Sequence, residues 1–365
     1  LTVVFTFVAM IVYLGYFVAN NEQDMINNSY NKRQEILLAK NYRGSIYSAD
    51  GYVLAQTAKN QDGKEVRHYP YDNMFSHVVG FSTHGRTGIE DFCNYYLINS
   101  NISLSQKVEN TTAGRKNPGN NVITNLRMDI QEAAYNALGI YEGAIIVTDV
   151  KTGKILAMVS KPDFDPNEIA DIWDDLVEDG DSSVLLNRAT TGLYPPGSTF
   201  KMITSLEYIR ENNENYNKYS YQCNGSYKLN GDKIRCYHGS VHNRVDLTKS
   251  FAKSCNSSFA NIGMKLDRDE FSQTLEKLLF NKSLELDFTT AISTTPISAE
   301  MDDYEMLQAS IGQGKVQMTP MHLNMITSAI ANDGVLMRPY LVDRIETATG
   351  VEYHTYKSKE YGRLM

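Results

Sequence analysis

Two prolines and a glycine, Pro195-Pro196-Gly197, interrupt the chain immediately before Ser198-Thr199-Phe200-Lys201 and an apolar stripe of Met202, Ile203, Leu206 and Ile209. A break of this kind stops the preceding element and starts a helix abruptly, and the stripe has helical spacing. Positions i and i+3 share one helix face, so the Ser198 hydroxyl and the Lys201 amine meet there. Together they supply a nucleophile and the base that activates it. A serine at a helix start also lies near unpaired backbone N–H groups and the positive end of the helix dipole. Negative charge developing on a substrate carbonyl oxygen is stabilised there. A simple N-cap serine is the competing role.

Ser-x-x-Lys also occurs at Ser29/Lys32 and Ser250/Lys253. Neither has a Pro-Gly break before the serine, and both read as ordinary surface residues. A second motif, Ser254-Cys255-Asn256, places a hydroxyl beside a carboxamide. That pairing suits a proton relay and an anchor for a substrate amide. Ser-x-x-Lys followed by Ser-x-Asn is two thirds of the motif set of serine acyl-transferring enzymes that react with penicillin.

On these motifs the chain resembles the class B penicillin-binding proteins, monofunctional peptidoglycan transpeptidases. Further segments carry the resemblance: Tyr42-Arg43-Gly44-Ser45-Ile46, Gly51-Tyr52-Val53-Leu54-Ala55, Gly85-Arg86-Thr87-Gly88-Ile89-Glu90, Asn187-Arg188-Ala189, Ile311-Gly312-Gln313-Gly314 and Thr319-Pro320. The resemblance implies an α/β transpeptidase domain, a sheet flanked by helices as in serine β-lactamases. A transmembrane helix and a strand-rich pedestal domain precede it. We place the anchor at residues 1–19, the non-catalytic, dimerisation-like pedestal at 20–125 and the transpeptidase domain at 126–365.

The family's third motif, Lys-Thr/Ser-Gly, is not found after Gly314. The one Lys-Thr-Gly, Lys151-Thr152-Gly153, sits between two apolar runs, 144–150 and 154–160, that read as a β-hairpin. It is therefore expected to be a turn rather than a catalytic strand. The chain reads as trimmed at both ends, with its transpeptidase domain C-terminally incomplete and half of its oxyanion hole missing.

The 365 residues are enough for two domains with a substantial core. A net charge of -8 gives no support to nucleic-acid binding, which calls for a basic face. Residues 1–19 are uncharged and almost wholly apolar. At about 1.5 Å per helical residue they just span a hydrocarbon core of about 30 Å, and no small-residue cleavage site follows. An uncleaved anchor is the reading, with the orientation, catalytic part outside the cell membrane, taken from the resemblance. His68, His77 and His84 read as solvated histidines in loops or at strand edges. A helix is expected from about Arg127 to Leu138 with Ile130, Ala133, Ala134, Ala137 and Leu138 on its apolar side. The acidic stretch of Asp163, Asp165, Asp171, Asp174, Asp175, Glu178, Asp179 and Asp181 reads as a solvated surface segment.

The resemblance implies a serine-type D,D-transpeptidase acting on stem peptides ending in D-Ala-D-Ala. Ser198 is its nucleophile, Lys201 its base, Ser254 the proton relay and Asn256 the substrate anchor. β-Lactams acylate the same serine. A membrane glycan polymerase of the elongation or division machinery is the implied partner. A D,D-carboxypeptidase or serine β-lactamase, and a non-catalytic wall-precursor scaffold or β-lactam sensor, remain as alternatives. No cofactor is required for the chemistry. The cysteines leave a question open. The resemblance implies a structural zinc site at Cys223, Cys236, His242 and Cys255, with His238 as the alternative histidine. A Cys223–Cys236 disulfide is the usual choice in an exported protein, and unlinked thiols are a third possibility.

Overall fold

In the computed structural model, described over residues 2–27, 33–60, 62–178 and 182–364, the chain divides into two units. One comprises residues 1–189 and 337–361, the other 190–336 and 362–365. Ser29 and Lys32 lie outside the described residues, as do Asp179 and Asp181.

The first unit begins with the helix Thr2–Asn27. Among the described residues no helix is long and apolar enough to cross a membrane. Side chains over residues 3–17 of this helix are exposed. The main sheet of the unit is mixed and six-stranded. Its order is Glu352–Thr355, Val342–Glu346, Asn121–Thr124, Ile46–Tyr47, Val53–Lys59, Glu65–His68. Ile46 and Val122 are register partners in its parallel pair, and both are fully buried. The two strands from the C-terminal part of the chain therefore complete a sheet begun near its N-terminus.

The segments 43–46 and 85–90 meet in this unit. Glu90 is fully buried between two guanidinium groups. Arg43 Nε donates to its Oε2 at 2.5 Å and Arg67 Nε to its Oε1 at 2.6 Å. The arginines are satisfied further by Asn94 Oδ1 and by the Gly44 carbonyl, each at 2.6 Å. Burial pushes the Glu90 carboxyl up, but the Arg43 and Arg67 charges outweigh it and hold it below its ordinary value.

The hairpin forms as expected, with Gly143–Thr148 antiparallel to Ile155–Lys161. The helix Met128–Leu138 packs on it through Ile130, Ala134 and Leu138. Ala133 and Ala137 are exposed instead. The buried face turns toward Gln131, whose Nε2 donates to the Met74 and Met158 carbonyls and whose Oε1 accepts from the Met158 N–H. A polar residue was not legible as core because its amide replaces ladder partners that sequence does not show. His77 also differs from the solvated reading. It is buried, its Nε2 lies 3.0 Å from the Pro162 carbonyl, and its ring meets Phe164 edge-on. His68 is exposed, and His84 stacks on Trp173.

The second unit is built on helices. Lys201–Asn212, Asn256–Gly263, Arg268–Lys277, Asp303–Ala309 and Pro320–Ala331 surround an apolar core that includes Phe200, Ile203, Phe259, Phe271, Phe280 and Ile326. Thr319 caps the last of these, its Oγ accepting from the His322 N–H at 3.1 Å. The Gly334 N–H, beyond the helix, bonds the Ala329 carbonyl at 2.8 Å. Phe200 is fully buried against Phe271 and Phe280. Burial of such a side chain stabilises by about 1.5–3 kcal/mol, and it fixes the turn that carries Ser198.

Glu90→Gln leaves two buried guanidinium groups without their counter-charge and is expected to destabilise by about 3–5 kcal/mol near neutral pH. The folded-state pKa is depressed, so the stabilisation is present above the unfolded carboxylate pKa and is lost as pH falls through the folded one. Urea melts should therefore show the gap between wild type and variant closing in acid. A constant gap across pH would contradict this account.

Candidate active site

Ser198 lies in a 3₁₀ turn, Gly197–Phe200, which runs into the α-helix Lys201–Asn212. The expected helix start is thus one tighter turn. Residues i and i+3 eclipse in a 3₁₀ turn, so the Ser198–Lys201 pairing is kept. The approach is held by the second unit's own backbone. Tyr194 and Met318 exchange both main-chain hydrogen bonds, at 3.0 and 2.8 Å, and the Gly197 N–H donates to the Gly312 carbonyl at 2.8 Å. Gly312 has φ +70°, and a Cβ there would lie 2.2 Å from the Gly197 carbonyl oxygen and 2.6 Å from Phe200 Cβ. Only glycine allows this approach, which accounts for Gly312 in the Ile-Gly-Gln-Gly segment.

Ser198 is exposed, whereas Lys201 is 1 % exposed. The Lys201 amine is surrounded by oxygen. Its Nζ lies 3.1 Å from Ser198 Oγ, 2.9 Å from both the carbonyl and the Oγ of Ser254, and 2.5 Å from Asn256 Oδ1. No carboxylate is among these partners. Burial therefore lowers its pKa to about 8, against an opposing pull from Cys255 and Cys236. The neutral amine satisfies the geometry. In that form two N–H groups can serve Asn256 Oδ1 and the Ser254 carbonyl, which leaves a lone pair for the Ser198 hydroxyl. Ser254 Oγ donates to Ser198 Oγ at 2.8 Å, which closes the network.

Ser254 sits in a turn between the helices Leu247–Ala252 and Asn256–Gly263. Its φ of +48° lies in the left-handed region, which costs a serine about 1–3 kcal/mol and persists only where neighbours over-determine it. The Ser254 N–H bonds the Phe251 carbonyl and the Cys255 N–H bonds the Ser250 carbonyl, each at 2.9 Å. Below the turn, Ser250 Oγ and Ser258 Oγ lie 2.6 Å apart, and Tyr219 Oη lies 2.9 Å from Ser258 Oγ. This buried hydroxyl chain ties the two helices together. Ser250 is therefore not the surface residue its motif suggested. Asn256 Nδ2 donates to the Arg235 carbonyl at 3.0 Å, which fixes the carboxamide so that its oxygen faces Lys201.

The cysteines gather beside this turn. Cys223 ends the strand Tyr221–Cys223, Cys236 follows Asp232–Arg235, His242 precedes Asn243–Val245, and Cys255 caps the Asn256 helix. None of the four cysteines of the chain is disulfide-bonded. Cys223 and Cys236 Sγ lie 3.8 Å apart, far beyond a disulfide bond of about 2.05 Å, so the disulfide expectation is not met. Cys236 and Cys255 Sγ are 3.7 Å apart, and Cys223 Sγ is 3.5 Å from His242 Nδ1. A tetrahedron with Zn–S of about 2.3 Å and Zn–N of about 2.05 Å has edges of about 3.8 and about 3.5 Å. The donor set fits that ion. His242, not His238, belongs to the group; His238 is exposed and its ring packs on Tyr237. Ser257 Oγ lies 3.1, 3.2 and 3.4 Å from the sulfurs of Cys223, Cys236 and Cys255. Burial raises the Cys223 pKa, but the Ser257 hydroxyl and the Gly225 and His242 backbone bring it down to about 6. Sequence reading missed Ser257, because only the folded helix turn brings it under Cys255.

Ser198, Ser254 and Asn256 open onto a cleft of about 440 Å³ whose wall also includes Tyr237, Ser240, Lys253, Ile311 and Gln313. Lys253, expected at the surface, is exposed and lies in this wall. Lys151 belongs to the other unit and sits in the hairpin turn, where its N–H bonds Asp149 Oδ1 at 2.9 Å. In the acidic stretch, Asp163 accepts from Asn73 Nδ2 and Asp165 from the Asn167 N–H. None of its described residues joins a potential ligand group.

Comparison with known proteins agrees with this geometry. Residues 143–364 match the penicillin binding protein transpeptidase domain, and residues 43–122 match the penicillin binding protein A dimerisation domain. The peptidoglycan D,D-transpeptidase PbpA of Mycolicibacterium smegmatis is 32 % identical over 340 residues, covering 86 % of this chain and 68 % of that protein. The D,D-transpeptidase domain of a peptidoglycan glycosyltransferase from Eggerthella lenta superposes with a TM-score of 0.79 at 30 % identity, over 90 % of this chain and 78 % of that one. Penicillin-binding protein A of M. tuberculosis, solved as an imipenem acyl-enzyme, gives 0.80 at 29 % identity, over 90 % and 79 %. A Lys-backed serine facing an open cleft, on a fold shared over nine tenths of its length, identifies the chain as a member of the penicillin-binding protein transpeptidase family.

Proposed function

We propose that the protein is a penicillin-binding peptidoglycan D,D-transpeptidase that works through a Ser198 acyl-enzyme. The observation that carries this reading is the contact between the buried Lys201 amine and Ser198 Oγ. Ser198 Oγ attacks the carbonyl carbon of the penultimate D-Ala, and its proton passes to the neutral Lys201 amine. The Ser198 N–H at the start of the turn stabilises the oxyanion. Collapse breaks the C–N bond. Ser254 delivers a proton to the departing D-Ala nitrogen and is reprotonated from Lys201. The Ser198 ester is then attacked by an amine of a second stem peptide, whose proton passes by way of the lysine to Ser198 Oγ as the C–O bond to the serine breaks, and the amide cross-link leaves. Asn256 holds the lysine and offers its carboxamide to the substrate backbone. β-Lactams present a strained amide to the same nucleophile.

The remaining assignments belong to the same reading. The exposed apolar side chains over residues 3–17 support a single-pass cell-membrane anchor over residues 1–19, and the resemblance puts the catalytic part outside. The two matched segments, 43–122 and 143–364, support a pedestal over 20–125 and a transpeptidase domain over 126–365. A membrane glycan polymerase is the proposed partner. Cys223, Cys236, Cys255 and His242 would hold a structural zinc ion, which is no part of the chemistry. The ion would tie the strand and hairpin around 221–236 to the residue between Ser254 and Asn256.

Labelling the full-length protein with a fluorescent penicillin, followed by peptide mass spectrometry, should place one adduct on Ser198. Ser198→Ala should abolish it, and retention of the label would refute the assignment. Elemental analysis should find about one zinc per chain, with Cys223→Ser losing it. A metal-free protein with full acylation activity would remove the zinc site from the account.

A further inference from the structure

The second motif and the residue after it alternate between two sites. Ser254 and Asn256 reach the Lys201 amine, while Cys255 and Ser257 turn to the cysteine group. No step of the acyl transfer uses Ser257. It is fully buried, and a buried hydroxyl needs a protein partner. Its partners are sulfurs. Ser257 Oγ donates to Cys223 Sγ at 3.1 Å and lies 3.2 and 3.4 Å from the sulfurs of Cys236 and Cys255. An atom nearly equidistant from three sulfurs sits over the triangle that they form. Those sulfurs and a His242 ring nitrogen lie within 4.8 Å of one another. Four donors close a structural zinc site, and thiolate, imidazole and carboxylate are the groups that serve. The Ser257 hydroxyl is none of these, so it stands beside the four ligands rather than among them. Three thiolates and an imidazole around Zn²⁺ leave one negative charge in excess. That charge resides on sulfur, where Cys223 and Cys255 are fully buried, and an O–H donor disperses it.

We propose that Ser257 is part of the metal site, a hydroxyl that hydrogen-bonds the zinc-bound thiolates and sets how tightly the ion is held. This rests on the zinc reading of the cysteine group and adds the residue that tunes it. Ser258 supplies the contrast. It is equally buried and lies on the same helix, but its hydroxyl pairs with Ser250 Oγ at 2.6 Å and Tyr219 Oη at 2.9 Å. If a buried hydroxyl here served only to pack the helix, removing either one would weaken the metal site alike. A hydroxyl that acts on sulfur makes the two differ.

The test strips the full-length protein of metal and titrates it with Zn²⁺ against a chromogenic chelator. A second titration with Co²⁺ reads the sulfur-to-metal charge-transfer bands. Ser257→Ala deletes a single buried oxygen and is expected to fold, with a circular dichroism spectrum like that of wild type. It should bind zinc roughly ten- to a hundredfold more weakly, and its Co²⁺ bands should shift because the sulfurs have lost a donor. Ser258→Ala should leave zinc affinity and bands in place. Unchanged affinity in Ser257→Ala, a weaker affinity without a band shift, or an equal loss in Ser258→Ala would overturn the proposal. Wild-type protein that takes up no zinc would instead refute the zinc reading beneath it.

Discussion

An amine buried without a counter-ion is the constraint on which the site depends. Lys201 is enclosed by hydroxyl, carbonyl and carboxamide oxygens, and none of them carries a formal charge. Neutral oxygens satisfy the N–H groups of an amine, but they do not repay the desolvation of an ammonium. The amine is therefore biased toward the form that accepts a proton. A carboxylate in place of Asn256 would reverse that bias, holding the lysine charged and leaving Ser198 without a base. The carboxamide is thus as much a part of the proton chemistry as the lysine it holds.

Placement follows from three separate backbone devices in the second unit. The Gly312–Gly197 contact sets the height of the Ser198 turn, burial of Phe200 sets its rotation, and the left-handed Ser254 turn brings the second hydroxyl over the lysine. The strain at Ser254 is held by the buried Ser250–Ser258–Tyr219 hydroxyl chain on one side and by the cysteine group on the other. Cys255 lies between the two catalytic-motif side chains in sequence. Anything that fixes its sulfur also fixes the directions in which Ser254 and Asn256 leave the backbone. A metal ion held by the cysteine group would thereby bear on catalysis without any step passing through it.

Much of this was legible in the sequence where local rules and tertiary structure agree. The Pro-Pro-Gly break, the 144–160 hairpin and the Thr319-Pro320 cap each follow from backbone chemistry within a few residues. The pairing of Ser198 with Lys201 follows from helical spacing alone. The features that escaped depend on partners distant in sequence. Gln131 and His77 are polar and buried because carbonyls from elsewhere meet them. Ser250 is buried by Ser258 and Tyr219, and Lys253 became a cleft residue only when the Ser254 turn was folded. The return of residues 342–355 to the N-terminal sheet likewise leaves no local signature, since its pairing with residues 121–124 is set by partners more than 200 positions away.

The central claim is that burial, not a neighbouring base, makes Lys201 the proton acceptor for Ser198. The pH dependence of the rate constant for penicillin acylation of the full-length protein tests it most directly. The rate should rise with pH as the lysine loses its proton, with a midpoint near 8, and then level off. Asn256→Asp should move that midpoint upward by introducing a charge that favours the ammonium. A wild-type midpoint near the ordinary lysine value of about 10.4, or one that Asn256→Asp leaves in place, would contradict the account.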